Sequence, residues 1–352
     1  MKKKIIILGG GLSGIYLGYK LKKAGFSIQI LEANHRTGGR IYTKNIQDTK
    51  AELGAAWLWR YNEELLKLCK ELNISLFKQH MKGDALFEAF IGKEPQRFQI
   101  PKNQEISYRI AGGTGTILEK LAKNFSVDEL QLNQKVTHID ATETSIKVGT
   151  ENAFFKADLV ISTIPPQLLV NSVAFTPELD TNLIQIANNT HTLMKDSIKF
   201  AIAYKTPFWR EKELSGVCFS NVGPFTEVYD HSSFKNDHFA LMGFLNDALA
   251  NETKESREEK IIQQLSQFFG EDVKKYLSYE EKVWNKEALL SFENNTFLRP
   301  HFNNGHAIYQ EVFLDGKLIV AGSETSPKYG GYMEGAIHRG NKIVTQLENK
   351  FQ

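Results

Sequence analysis

Cysteine is scarce in this chain, and so is any surplus of charge. Two cysteines in 352 residues, Cys69 and Cys218, are too few for a disulfide framework or a thiolate metal cluster. Cys69 shares an apolar face with Leu65, Leu66 and Leu72, which marks it as a small core residue, and Cys218 lies in a strand-like run from Val217 to Val222. The 43 basic and 41 acidic side chains leave a net charge of +2, so there is no electrostatic footprint for nucleic acid. The nine histidines show no metal-ligand spacing, no metal site is expected, and no Ser/His/Asp constellation stands out. Long apolar runs are missing as well. Nothing approaches the roughly 20 apolar residues of a membrane helix. The start, three lysines followed by Ile5 to Leu8, falls short of the about 7–15 apolar residues of a signal peptide. The sequence stops at Gln352 with no membrane anchor, and the expected location is cytoplasmic. Repeats and low-complexity tracts are absent.

What is present is an ordinary globular composition, 41% hydrophobic and 24% charged, at a length that suggests two domains. Lys4 to Leu8 reads as a strand buried on both faces in a parallel sheet. Gly9-Gly10-Gly11-Leu12-Ser13-Gly14 follows and satisfies G-x-G-x-x-G. A helix then runs to about Ala24, with Leu12, Ile15, Tyr16 and Tyr19 at helical spacing. Gly25 ends it, and Ser27 to Leu31 makes a second strand terminating at Glu32. Each residue type has a physical reason. Gly9 permits the tight turn, Gly11 lets backbone approach a pyrophosphate, and Gly14 allows close helix–strand packing. The phosphates then lie at a helix N-terminus, where free N–H groups and the dipole favour anions, and Glu32 can accept from the adenosine ribose. The order strand, glycines, helix, strand, acid reads as a dinucleotide site.

Glu32 to Arg40 resembles the E-x-x-x-R-x-G-G-R segment of the glutathione-reductase-type FAD family, in its amine oxidase branch. The resemblance implies FAD as the cofactor, with Gly38 and Gly39 near the pyrophosphate and Arg36 and Arg40 beside it; the Arg40 fork suits anionic oxygens. Similarity to flavin monoamine oxidases and polyamine oxidases then extends along most of the chain. Glu52-Leu53-Gly54-Ala55-Ala56-Trp57 resembles their segment beside the isoalloxazine ring, and Ala111-Gly112-Gly113-Thr114-Gly115 their G-G-x-G start of a helix. Lys135 to Ile139 resembles the strand whose valine, here Val136, meets the adenine; Leu159 to Pro166 resembles the strand that leaves the FAD domain. Near the end, Ala321-Gly322-Ser323-Glu324-Thr325 and Gly331-Tyr332-Met333-Glu334-Gly335-Ala336 are similar to the family's A-G-x-E-T and G-Y-M-E-G-A, the latter opening a helix aimed at the flavin pyrimidine. The implied fold is an α/β FAD-binding domain, Rossmann-like and of glutathione-reductase type, with a smaller α+β substrate domain on a mainly antiparallel sheet. The expected division gives residues 1–77, 107–188 and 290–352 to the FAD domain, and 78–106 and 189–289 to the substrate domain.

The implied chemistry is oxidation of an amine: hydride passes from the α-carbon to flavin N5, the imine hydrolyses to an aldehyde, and dioxygen or another acceptor reoxidises the flavin. The resemblance carries the water-holding lysine onto Lys199, in a strand whose other residues on that face are Ala201 and Ala203, and one wall of the amine-orienting aromatic cage onto Tyr332. The second wall falls to Phe292 or Phe297, beyond the turn Trp284 to Glu287. The cysteine that some members attach to FAD is absent, which implies non-covalent flavin, and Asn34 stands where many relatives have arginine. The first substrate-domain insert is very short. A carboxylate-gripping arginine for an amino-acid substrate would have to be Arg60. The alternatives are an FAD-dependent desaturase or dehydrogenase of a polyisoprenoid or porphyrinogen, and a non-catalytic flavin-binding redox module.

Overall fold

The computed structural model describes residues 3–290 and 298–351. Its first sheet runs in the order Val312–Phe313, Leu318–Val320, Leu159–Ser162, Lys4–Leu8, Ser27–Leu31, Leu130–Gln131. All neighbours are parallel except the first pair. Ile5 pairs with both Leu159 and Ile28, so the expected first strand is the middle of this sheet. The four residues Ile5–Leu8 are fully buried because both faces are covered. On one face lie the helices Leu12–Lys23 and Met333–Phe351. On the other is a four-stranded sheet carrying Val136, Ile139, Ile146 and Val148. The two helices approach closely because Gly340 has no side chain: a Cβ there would meet the Tyr16 ring at 2.9 Å. Phe351, in the last turn of the helix Met333–Phe351, is 40% exposed.

The second large sheet has seven strands, ordered Ser278–Val283, Ile198–Tyr204, Phe239–Leu245, Phe225–Asp230, Leu214–Ser220, Asp84–Glu88, Gln96–Phe98. It is antiparallel apart from the pairing of Asp84–Glu88 with Leu214–Ser220. One face packs on helix Lys254–Phe269 through Ile261, Leu265, Phe268 and Phe269. Thr253 caps that helix by accepting from Ser256 N, and Gly270, at φ +83°, ends it. The charge run from Glu252 to Lys260 reads in sequence as solvated first turns, but these turns are only partly exposed. Arg257 is buried and pairs with Glu281 on the facing strand at 2.5 Å. The opposite face of the sheet presents Lys199, Ala201, Ala203 and Met242; the last three pack against Ala51, Leu53 and Ala56. The small alanines let the two halves of the molecule come together there.

Candidate active site

One cavity of about 1080 Å³ runs between the sheets. At one end it is lined by the glycine loop. Gly9 has φ +101°, which favours glycine, and a Cβ on Gly14 would collide with the Gly9 carbonyl oxygen. Gly11 differs: a Cβ there would meet nothing nearer than Gly38 O and Gly39 Cα at 3.9 Å, and it would stand in the cavity. The second glycine segment docks directly on the first. Gly38 N donates to Gly10 O at 2.9 Å, and Gly11 and Gly38 form a parallel bridge. The helix from Leu12 has no side-chain cap, so its first N–H groups remain available beside Leu12 and Ser13, which line the cavity. Two side-chain-free backbone segments meeting at an uncapped helix N-terminus fit a dinucleotide pyrophosphate.

The charged residues here are partly engaged by the protein itself. Glu32 accepts from Gly10 N and, at 2.7 Å, from Asn34 N; burial raises its pKa, and these two bonds oppose that. Arg36 donates to the carbonyls of Thr37, Ile41 and Gly39 and lies over the Tyr42 ring, so it shapes the second glycine turn. Arg40 forms a 2.6 Å ion pair with the fully buried Glu324 and donates to Ser323 Oγ at 2.9 Å. Glu324 thereby fixes the guanidinium while Arg40 still lines the cavity.

At the other end, Gly54 is held against Arg40 and Tyr42: a Cβ on it would strike their backbone. Its carbonyl accepts from Lys199 Nζ at 2.8 Å. Lys199 is 1% exposed, and Nζ sits 5.1 Å from the Trp57 ring and 4.7 Å from the Phe244 ring. Burial pulls its pKa below a lysine's usual range, while the carboxylates of Glu52 and Glu227 oppose that pull. Glu52 is itself buried, accepting from Thr114 N at 2.6 Å and from Thr43 Oγ1 at 2.9 Å. Thr114 and Gly115 begin the helix Gly115–Ala122, so the expected G-G-x-G segment lies against this carboxylate. Burial raises the pKa of Glu52 and lowers that of Arg109 to about 10. Glu52 N donates to Nε2 of the fully buried His231, whose pKa burial drives well below the ordinary histidine value. Trp57 Nε1 donates to Gln79 Oε1 at 3.0 Å, and Gln79 in turn donates to the Asp230 carbonyl.

The helix Met333–Phe351 starts at the cavity wall. Gly331, Tyr332, Met333 and Ala336 line it, and Tyr332 is 47% exposed. Glu334 lines it as well and accepts from Glu64 N and Leu65 N at 3.0 and 2.9 Å. It thus caps the helix Glu63–Glu71, whose own N-cap Asn62 makes no side-chain cap bond.

Of the sequence-derived residues, Gly9, Gly11, Leu12, Ser13, Glu32, Arg36, Gly39, Arg40, Gly54, Ala55, Ala56, Trp57, Val136, Lys199, Ser323, Gly331, Tyr332, Met333 and Ala336 line this one cavity. Gly14, Gly322 and Glu324 do not; they support it from behind. Arg60 does not line it either, and donates to the Tyr108 hydroxyl. Phe292 and Phe297 lie outside the described residues. Sequence reasoning missed Phe244, Leu193, Met194, Trp59 and Tyr61 on the wall, and Gln79, Arg109 and His231 behind it. The one available signal was alternation in the strand Phe239–Leu245, which puts Met242 and Phe244 on the face of Lys199. Among the described residues no His/Cys/Asp/Glu group suits a metal, and no helix is long and apolar enough to cross a membrane.

Residues 92–347 match the family described as flavin containing amine oxidoreductase, and residues 7–72 match an NAD(P)-binding Rossmann-like domain. Flavin-containing amine oxidase B of Canis lupus familiaris is 24% identical over 454 aligned positions, covering 98% of this chain and 86% of the relative. That alignment is longer than this chain, so the relative carries insertions absent here. A putrescine oxidase structure with bound putrescine superposes with a TM-score of 0.85 at 20% identity, covering 99% of both chains. Cyclohexylamine oxidase from Brevibacterium oxydans IH-35A does so with 0.85 at 18% identity and the same coverage.

Proposed function

This chain belongs to the flavin-containing amine oxidoreductase family and is an FAD-dependent oxidoreductase, and from that premise we propose that it oxidises an amine at the cavity end lined by Lys199, Trp57 and Tyr332. The division into FAD and substrate domains at residues 78–106 and 189–289 belongs to the same proposal, as does non-covalent binding of FAD. FAD, when bound, supplies a two-electron acceptor for hydride from the carbon bearing the amine, and dioxygen is the proposed final acceptor. The chain's own residues orient substrate and manage protons. Gly9, Gly11, Gly39 and the uncapped helix hold the pyrophosphate, Glu32 the ribose, and Val136 the adenine side. Tyr332 offers an aromatic face that orients the amine. Trp57 and Phe244 keep the lysine away from bulk water, which favours its neutral form. Lys199 gives one N–H to Gly54 O, which leaves its remaining valences at Nζ to hold a water or pass a proton.

The observation that carries this reading is the buried Lys199 Nζ in the same cavity as the double glycine clasp. It is tested by anaerobic bleaching of the flavin band at roughly 450 nm with benzylamine, cyclohexylamine, putrescine and a set of amino acids. Bleaching by one amine, with peroxide released on admitting air, is the expected result. A flavin reduced by dithionite but by none of the amines refutes amine oxidation, and favours a desaturase or a non-catalytic flavin module. Lys199→Met is expected to slow reoxidation by oxygen while FAD stays bound, and equal stopped-flow rates in mutant and wild type refute the role given to Lys199.

A further inference from the structure

The Tyr332 carbonyl accepts from Ala336 N at the start of the last helix, but the Tyr332 side chain is held from another segment. Its hydroxyl lies 3.2 Å from His301 Nε2, and the two rings stack at 5.1 Å with 25° between their planes. Tyr332 lines the cavity and His301 does not, so the imidazole stands behind the phenol. His301 is in turn fixed on several sides. Its backbone is left-handed, at φ +62°, in a turn closed by Phe302 N to Arg299 O and Asn304 N to His301 O. Its N–H donates to His191 Nδ1 at 3.3 Å. Gly330 lets this turn sit tightly under the start of the last helix, since a Cβ there would meet Asn304 Cβ at 2.8 Å.

The tautomer follows from the neighbours. His301 Nδ1 faces the Gly330 carbonyl oxygen at 3.2 Å and Asn304 Oδ1 at 3.3 Å. The Asn304 amide is oriented by its Nδ2, which donates to the His191 carbonyl at 2.9 Å. Both neighbours of Nδ1 are therefore acceptors, so the ring proton resides on Nδ1 and the Nε2 lone pair accepts the Tyr332 O–H. One face of the phenol is covered by the imidazole, and the hydroxyl is tied at its tip. The ring plane is thereby set before any substrate arrives.

We propose that His301 is a positioning residue for amine recognition: it fixes the plane and hydroxyl of Tyr332 so that the free face of the phenol meets the substrate amine. This rests on the assignment of Tyr332 as a wall of the amine site.

The test uses holoenzyme and whichever amine of the panel bleaches the wild-type flavin, with its dissociation constant and limiting reduction rate taken from anaerobic stopped flow. His301→Asn tolerates the left-handed backbone but lacks the ring, and His301→Gln keeps an acceptor within reach of the hydroxyl. His301→Asn is expected to weaken amine binding by about three- to tenfold, with a smaller change in the limiting rate and unchanged flavin occupancy and Tm. His301→Gln should recover part of the loss, and in a Tyr332→Phe background the same His301 change should cost less, because the shared bond is already gone. An unchanged dissociation constant in His301→Asn, where Tyr332→Ala weakens binding, overturns the inference and leaves the Tyr332 assignment standing. So does full additivity with Tyr332→Phe. If Tyr332→Ala itself binds the amine normally, the assignment of Tyr332 falls, and the inference falls with it.

Discussion

The two ends of the cavity are built by opposite means. The nucleotide end is backbone: two glycine segments within forty residues meet through Gly38 N and Gly10 O and leave room where side chains would be. The far end is side chain: Lys199, Glu52, Arg109, His231 and Gln79 come from distant stretches, and each bonds a partner distant in sequence, although Arg109 Nε and His231 Nδ1 have no partner among the described residues. A backbone site imposes residue types at fixed spacing, whereas a side-chain network imposes only complementarity among its members.

The largest effect that would expose this difference is at two neighbouring glycines. Gly14→Val drives a side chain into the Gly9 carbonyl and should abolish folding, whereas Gly11→Val should leave a folded protein that retains almost no FAD. Circular dichroism and the flavin-to-protein absorbance ratio separate the two. A Gly11→Val protein with full flavin would show that the loop does not carry the pyrophosphate.

At the side-chain end, Glu52→Gln removes the buried carboxylate that accepts from Thr114 N and Thr43 Oγ1 and whose charge acts on Lys199 and Arg109, and should cost about 1–3 kcal/mol in urea unfolding. A loss below about 1 kcal/mol would mean that Lys199 and Arg109 do not depend on it. Lys199 itself gives a pH signature. Its folded pKa is depressed, so between that value and the lysine's usual 10.5 the unfolded chain binds the extra proton, and stability rises with pH across this window. Wild type should therefore gain Tm relative to Lys199→Met as pH increases from neutral towards 10.5, and parallel curves would contradict the burial argument. The smallest effect is expected from Glu32→Ala, with roughly tenfold weaker FAD binding, measured by flavin release on dilution. Unchanged retention would show that the Glu32 carboxylate serves only the loop.

Legibility in the sequence follows the same contrast. The strand Lys4–Leu8, its glycine loop and the following helix were readable because sterics dictate the residue types, and the parallel sheet followed from strands apolar on both faces. Lys199 was reached through alternation with Ala201 and Ala203, together with the resemblance. Gln79, Arg109, His231 and His301 left no local pattern, since a buried polar residue looks like a surface one until its partner is known. The engagement of Arg40 by Glu324 was hidden for the same reason: its two halves lie 284 positions apart.

Glu334 reaches back across 270 positions to cap the helix Glu63–Glu71, and the helix Met333–Phe351 covers the helix Leu12–Lys23 through Gly340 and Tyr16. During synthesis, then, the helices Leu12–Lys23 and Glu63–Glu71 emerge from the ribosome with a bare helix end and an uncovered apolar face. Their partners in the helix Met333–Phe351 leave the exit tunnel only some 270 residues later. These two helices are thus sealed long after they are made, an interval in which uncovered apolar surface favours aggregation.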